Sequence, residues 1–129
     1  MRQSSETDIA CIDRMLRYVK AISDAYVMFN ITSAADLKNN YVCQLAITQA
    51  ITNVHEVQKR IRPQTIEKMP RLDEQRLMLK AARNIASHDY ESLDFGIIDR
   101  LVKHLISPII RTELEVTRDD LRHNSSNDN

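Results

Sequence analysis

The sequence predicts an all-α protein, folded as an up-down four-helix bundle with a kinked last helix and a disordered C-terminal tail. Only one Gly and three Pro occur among 129 residues, so turn-forming residues are scarce. The apolar residues recur at steps of three and four, the period of a helix with one buried face. A chain of this length forms one domain with a core of its own. We place the four-helix domain at residues 1–118 and a flexible tail at 119–129.

The first helix is predicted to begin near Ser5, which forms a capping box with Asp8. In a capping box, a hydroxyl and an acid three residues later satisfy free backbone amides at the helix start. The following residues are apolar at helical spacing and predict one buried stripe, made of Ile9, Ile12, Leu16, Val19, Ile22, Tyr26 and Phe29.

The second helix is expected from Ala34 to Arg60, after a second capping pattern formed by Ser33 and Asp36. The alternation that is typical of strands is absent here, and Ala, Gln, Lys and Glu are frequent. Helical spacing is clearest near the end of this segment, at Val54, Val57 and Ile61.

A connection that contains Pro63 and Pro70 separates the second helix from the third, because proline interrupts helical hydrogen bonding. The third helix is expected to begin near Leu72. Its predicted apolar face consists of Leu77, Met78, Ala81, Ala82 and Ile85.

The fourth helix is expected to follow a short turn in which Asp94 or Ser92 is the N-cap. It runs from Phe95 to Leu114 or Val116, with a kink at Pro108. The residues beyond it are polar and have little to bury, which predicts disorder.

Charge and cysteine usage restrict the class of protein. Eighteen basic residues balance eighteen acidic ones, so any site for a polyanion must be local. Residues 59–83 carry eight basic and three acidic side chains, a local excess of five, which is either a solvated surface or an RNA-facing patch. Cys11 and Cys43 lack metal-type spacing, and we expect both to be buried. With no apolar signal segment in residues 1–8 and no membrane-length apolar run, the expected location is the cytoplasm, with no membrane partner.

The residues with the most reactive chemistry lie near the end of the predicted third helix. Arg83 has a permanently charged, forked donor group, His88 titrates near neutral pH, and Tyr90 offers a hydroxyl. The spacing of arginine and histidine is not specific by itself, since Arg118 and His123 repeat it without a following tyrosine and without a strong helical setting.

This Arg-x4-His-x-Tyr pattern resembles the signature of HEPN domains, in particular the HepT-like toxins of HepT/MntA-type toxin-antitoxin pairs. Asn84 after the arginine and the His-Asp-Tyr run at residues 88–90 strengthen the resemblance, which spans about residues 8–118. The Val-His-Glu-Val run at 54–57 is similar to the family's apolar-Gly-Glu-Ala stretch, although His55 replaces the glycine.

The resemblance implies a homodimeric, metal-independent endoribonuclease that needs no cofactor. His88 would deprotonate the ribose 2′-hydroxyl and Arg83 would stabilise the phosphate as charge builds. Tyr90 would be the residue that an MntA-like nucleotidyltransferase antitoxin modifies by AMPylation, which adds negative charge and bulk in the cleft.

On an ideal helix, Arg83 and His88 lie about 140° apart, so they do not share a face. Either the helix ends before His88, or a second copy of the chain completes the site. Asn84 either orients Arg83 or the phosphate, or it serves as a cap or lines a dimer interface. Asp89 either pairs with an arginine or is an exposed acid near a helix end. Glu56 either faces the motif or pairs with Lys59 or Arg60 on its own helix.

Two classes of function follow from these residues. The first is the ribonuclease, and the second is a noncatalytic HEPN module that binds a nucleotidyltransferase or another protein. A metal enzyme is disfavoured, because the Glu-x-x-His pairs of di-iron bundles are absent and His55 lacks the second histidine of a zinc helix.

Overall fold

The computed structural model describes residues 4–76, 80 and 94–127, with the side chains of 125–127 excepted. This part of the chain contains helices and no strands, which confirms the all-α prediction. In it we number seven helices: α1 Ser5–Met28, α2 Ala34–Lys38, α3 Tyr41–Gln58, α4 Pro63–Ile66, α5 Pro70–Asp73, α6 Phe95–Leu105 and α7 Pro108–Asn127.

The start of α1 lies where it was predicted, but its cap is a different residue. Ser4 is the N-cap, and its hydroxyl accepts a hydrogen bond from the backbone N–H of Thr7 at 3.2 Å. Asp8 is fully buried and binds Arg62 and Thr65. The predicted capping box of Ser5 and Asp8 is therefore wrong, because the acid is used in a tertiary contact.

The segment expected as one helix from Ala34 to Arg60 is divided into α2 and α3. Asn40 causes the division, since its side chain accepts from the N–H of Cys43 and caps a new helix. The side-chain amide of Gln44 then donates to the carbonyls of Leu37 and Lys38, at 2.9 and 2.7 Å, and so satisfies the end of α2. The predicted Ser33 cap of α2 is confirmed.

The two prolines of the connection predicted after the second helix each begin a short helix. Pro63 is the first residue of α4 and Pro70 is the first residue of α5, positions where the missing N–H costs no hydrogen bond. The third bundle helix was expected to begin near Leu72, but α5 ends at Asp73 and a turn follows at residues 74–75. Most of the remaining expected helix lies outside the described residues. The four-helix arrangement therefore stays a prediction.

The last expected helix is two helices, and the break replaces the expected kink. The chain turns at Ile106 and Ser107, and Pro108 opens α7. Asp94 caps α6 by accepting from the N–H groups of Gly96 and Ile97, as predicted. The tail expected to be disordered from residue 119 is helical to Asn127, because Leu121 is buried in the core.

The core lies where α1 packs against α3 and α7, with α2 against α6 and α5 against α7. Both cysteines are buried there, as predicted, and burial raises the pKa of each thiol. Most of the predicted α1 stripe is buried, namely Ile12, Val19, Ile22 and Tyr26. Among the described residues, no helix is long and apolar enough to cross a membrane.

Candidate functional site

The predicted motif is in a part of the chain about which the structure says nothing. Arg83, Asn84, His88, Asp89 and Tyr90 all lie outside the described residues. Their roles therefore stay predictions, and the structure can be compared with the sequence only for residues on either side of the motif.

Glu56 is the one predicted site residue that the structure describes. It lies in the last turns of α3, half-buried, with its carboxylate 3.7 Å from the Lys59 ammonium. This is the pairing along its own helix that the sequence allowed. Both side chains are partly open to water, so the ion pair contributes little to stability.

A cavity of about 780 Å³ lies at the C-terminal end of α3. It is enclosed by α4, α5 and the residues after α5, because the two proline-initiated helices turn the chain back across the end of α3. The described residues that line it are His55, Gln58, Lys59, Ile61, Pro63, Ile66, Glu67, Asp73, Arg76 and Lys80. We call this space the α3-end cavity. Its size is in the range of small-molecule and cofactor sites.

The α3-end cavity has charged walls at its mouth. Among the described lining residues, three cations, Lys59, Arg76 and Lys80, and two acids, Glu67 and Asp73, leave a net charge of +1. Arg76 lies 3.7 Å from Asp73, and its side chain is exposed. The C-terminal carbonyls of α3 add partial negative charge, which also favours cations at this position. This partial negative charge opposes the positive charge of the lining, so the attraction of the mouth for an anion is weak.

Gln58 is an unexpected feature of the cavity wall. Its side chain is 4% exposed, and neither amide atom has a hydrogen-bond partner within the described protein. A buried, unpaired polar group costs about 1–3 kcal/mol. If the Gln58 amide rotated toward the cavity, a ligand with one hydrogen-bond donor and one hydrogen-bond acceptor would recover part of that cost. The edge of a nucleobase has that pattern.

The basic stretch at residues 59–83 is not one surface. Of the described cations in this stretch, only Lys59, Arg76 and Lys80 line the α3-end cavity. Arg62 turns away to bind Asp8, and Lys68 and Arg71 line a separate surface groove beside α7. The structure thus divides the predicted patch among three places, because the turns at Pro63 and Pro70 send neighbouring side chains in different directions.

The second Arg-x4-His pair has a structural setting that its sequence did not predict. Arg118 and His123 both lie in α7, in contrast to the weak helical setting expected. Arg118 binds Asp13 and Asp119, at 3.2 and 3.1 Å, so it serves a contact between helices. His104 in α6 is partly exposed, and its Nε2 lies 3.3 Å from the carbonyl oxygen of Arg71.

Sequence reasoning missed both Gln58 and Asp8. Each is a polar residue at a position that helical spacing assigns to the buried face. Gln58 follows Val54 by four residues, and Asp8 precedes Ile12 by four. A polar side chain in an apolar stripe is the signal that could have found them, because a buried polar group needs a partner or a ligand.

Metal ligation has no candidate in the part of the chain that the structure describes, where no three His, Cys, Asp or Glu side chains come together. Comparisons with protein-family models, with curated proteins and with solved structures found no match. The case for a function therefore depends on the sequence motif and on the geometry beside it.

Proposed function

We propose that this protein is a HepT-like HEPN toxin, a dimeric, metal-independent endoribonuclease restrained by a nucleotidyltransferase antitoxin in the cytoplasm. The observation that carries the proposal is the Arg83-x4-His88-x-Tyr90 pattern within an all-helical chain. The up-down four-helix bundle is part of the same proposal, with the residues after α5 supplying its third helix.

The α3-end cavity supports an RNA site near this motif. Lys80 lines the cavity and precedes Arg83 by three residues. Three residues of chain span at most about 11 Å, so the motif begins within reach of the cavity. The cations Lys59, Arg76 and Lys80 would draw phosphate groups toward that region, since phosphate contacts supply most of the affinity for nucleic acid.

The proposed reaction uses the chain's own side chains. His88 accepts the proton of the ribose 2′-hydroxyl, and the 2′-oxygen then attacks the adjacent phosphorus. Arg83 holds two phosphate oxygens through its forked N–H groups while charge builds. The bond to the 5′-oxygen breaks, and a protonated group, which we assign to His88 of the partner subunit, donates a proton to that oxygen. The products are a 2′,3′-cyclic phosphate and a free 5′-hydroxyl.

The need for a second copy follows from helix geometry. If residues 83–88 are helical, Arg83 and His88 of one chain lie about 140° apart and do not share a face, so the Arg83 and the His88 base that act on one phosphate come from different copies. A symmetric dimer brings the same patch of both copies together and supplies the missing group. Tyr90 then lies in the motif, where an attached adenylate would repel RNA and fill the cleft.

One observation favours the noncatalytic module as a second candidate. The end of α1 and the start of α3 expose several large apolar side chains, which are Val27, Met28, Tyr41, Val42 and Leu45. Exposed apolar patches are typical of protein-binding surfaces. In this alternative, the same helices bind a nucleotidyltransferase or another protein, and the motif lines that interface without cleaving RNA.

The decisive experiment is cleavage of total RNA by the purified protein in excess chelator, with the product ends tested for cyclic phosphate. We expect cleavage by the wild type and its loss in Arg83→Ala and His88→Ala. His123→Ala is a matched control, because His123 is exposed in α7 and has the same Arg-x4-His spacing without the tyrosine.

The control variant should cleave like the wild type. If the wild type and His88→Ala are equally inert, or equally active from a contaminant, the ribonuclease is excluded and the binding module takes its place. Circular dichroism of each variant separates a lost reaction from a lost fold.

A further inference from the structure

Four arginines lie along the contact between α1 and α7, far in sequence from the motif. Arg14 and Arg17 come from α1, and Arg118 and Arg122 come from α7. A groove of about 530 Å³ runs between these helices, and its lining consists of Ala10, Asp13, Arg14, Leu16, Arg17 and Arg118. We call it the arginine groove. Three arginines against one aspartate leave a lining charge of +2, on a protein whose net charge is zero.

The two α7 arginines are held in place by acids. Arg118 and Arg122 each lie 3.2 Å from the carboxylate of Asp13, one on each oxygen. Asp119 binds Arg118 at 3.1 Å and lies 3.9 Å from Arg122. These contacts hold Arg118 in place at one wall of the groove, and they pair the carboxylate of Asp13 with the α7 arginines.

The two α1 arginines are in the opposite situation. Arg14 and Arg17 are exposed, and no carboxylate of a described residue lies within ion-pair distance of either. They are three residues apart on one helix, so their side chains are neighbours about 5–6 Å apart at the Cβ atoms. The groove therefore has one wall with a fixed arginine, Arg118, and one wall with two arginines available to an anion.

We propose that the arginine groove binds the phosphodiester backbone of single-stranded RNA, an inference that rests on the ribonuclease function proposed above. Guanidinium groups bind phosphate through paired N–H donors, and two neighbouring arginines can engage successive phosphates of one strand. The groove would raise the local concentration of substrate at the protein.

The lining also favours a backbone ligand over a base-specific one or a protein. It contains no aromatic side chain among its described residues, so it has no surface on which bases stack. Its apolar part is limited to Leu16 and Ala10, without the aromatic anchors that are usual in protein interfaces. Binding should therefore depend on charge and little on sequence.

The test measures fluorescence anisotropy of a labelled 2′-O-methyl oligonucleotide, which lacks the 2′-hydroxyl and cannot be cleaved. The full-length wild type is compared with the double variant Arg14→Gln/Arg17→Gln. We expect binding to weaken roughly tenfold or more at low salt. The slope of log affinity against log salt should fall by about 1.4, which is about 0.7 for each lost phosphate contact.

A matched control removes the same charge elsewhere. Lys38 in α2 and Arg100 in α6 are exposed cations, and neither forms an ion pair with a described residue. Lys38→Gln/Arg100→Gln should therefore bind the oligonucleotide like the wild type. The charge-conserving variant Arg14→Lys/Arg17→Lys should keep most of the salt slope, because lysine retains the charge without the fork.

Three outcomes would overturn the proposal: no binding by the wild type, equal binding by the double glutamine variant, or equal loss in the control. Competition by polyglutamate that is stronger than competition by unlabelled oligonucleotide at the same concentration of charge would also reject RNA, in favour of an acidic protein surface. Since the probe cannot react, a wild type that binds it through these arginines but cleaves no RNA supports the groove and rejects only the ribonuclease.

Discussion

Two aspartates on α1, five residues apart, each bind arginine, and they differ in how far the side chain is exposed to water. The Asp8 side chain is fully buried, and its carboxylate accepts from Arg62 Nε at 2.6 Å and from Thr65 Oγ1 at 2.6 Å. The Asp13 side chain is 38% exposed, and its arginine contacts are 3.2 Å long. The same pair of residue types thus occurs once in a protein interior and once at a surface.

The difference separates structure from function along a single helix. Removal of one partner from a buried ion pair leaves the other charge uncompensated, whereas an exposed pair is screened and has a small net effect. The Asp8 contacts tie the start of α1 to the connection between α3 and α4. The Asp13 contacts only orient arginines in a groove, where residues can change without loss of the fold.

The largest expected effect is that of Asp8→Asn, which keeps the volume of the side chain and removes its charge. Arg62 would then be a partly buried cation without its acid, and we expect the free energy of unfolding to fall by about 3 kcal/mol. Urea unfolding followed by circular dichroism measures this change. Asp13→Asn is the paired control on the same helix and should cost less than about 1 kcal/mol. Equal losses in the two variants would show that burial does not distinguish these contacts.

A smaller loss is expected from Tyr26→Phe, at the other end of α1. The Tyr26 hydroxyl donates to Asp99 Oδ1 at 2.8 Å, and Lys103 lies 2.9 Å from the other carboxylate oxygen. Burial, and then this hydrogen bond, raise the pKa of Tyr26 well above its usual value, so the hydroxyl stays a donor. Its removal leaves a buried carboxylate oxygen without that donor and should cost about 1–2 kcal/mol.

Tyr18→Phe is the control for this change. Tyr18 is part of the same helix and packs against the core, but its hydroxyl has no hydrogen bond to another described residue. We expect a change of less than about 0.5 kcal/mol there. A Tyr26 variant as stable as the Tyr18 variant would mean that the bond to Asp99 contributes nothing net.

The fold class could be predicted from the sequence because helical periodicity is a local property. The start of α1, the caps at Ser33 and Asp94 and the interruption at Pro63 are all encoded within a few residues. The break before α3 could not be predicted, since it depends on Gln44 folding back onto carbonyls of the preceding turn.

The two candidate sites also differ in whether the sequence alone predicts them. The motif at residues 83–90 could be found in the sequence because its residues are neighbours in the chain. The arginine groove could not, because Arg14 and Arg118 are more than a hundred residues apart and meet only through the packing of α1 on α7. The helical continuation past residue 118, which the tail's polar composition argued against, places Asp119 and Arg122 beside Arg118 at the edge of that groove.

Asp36 differs from both Asp8 and Asp13, because its hydrogen-bond partners are close to it in the sequence. Its carboxylate accepts from the N–H and the hydroxyl of Thr32, at 3.0 and 2.9 Å, and these bonds lower its pKa. A pKa that is lower in the folded state stabilises the fold above the unfolded value, here about 3.8, and this stabilisation is lost as the pH falls. Asp36→Asn should therefore be less stable than the wild type at neutral pH.

That deficit should shrink as the pH falls from about 5 to about 2, because the wild-type acid becomes protonated as well. Thermal unfolding of both proteins across this range measures it. Thr32→Val keeps the backbone donor and removes the hydroxyl, so it should show part of the same pH dependence. A deficit that is constant with pH would assign the effect to helix capping geometry instead of charge.

The smallest effect on stability is expected where the effect on binding is largest. Arg14→Gln/Arg17→Gln changes two exposed side chains that have no ion pair within the described part of the chain, so the free energy of unfolding should stay within about 0.5 kcal/mol of the wild type. Urea unfolding of the protein used for RNA binding measures it. Lost RNA binding at unchanged stability would set this surface apart from the Asp8 contacts on the same helix. A loss as large as that of Asp8→Asn would mean instead that the arginines are structural and that the binding defect follows from a damaged fold.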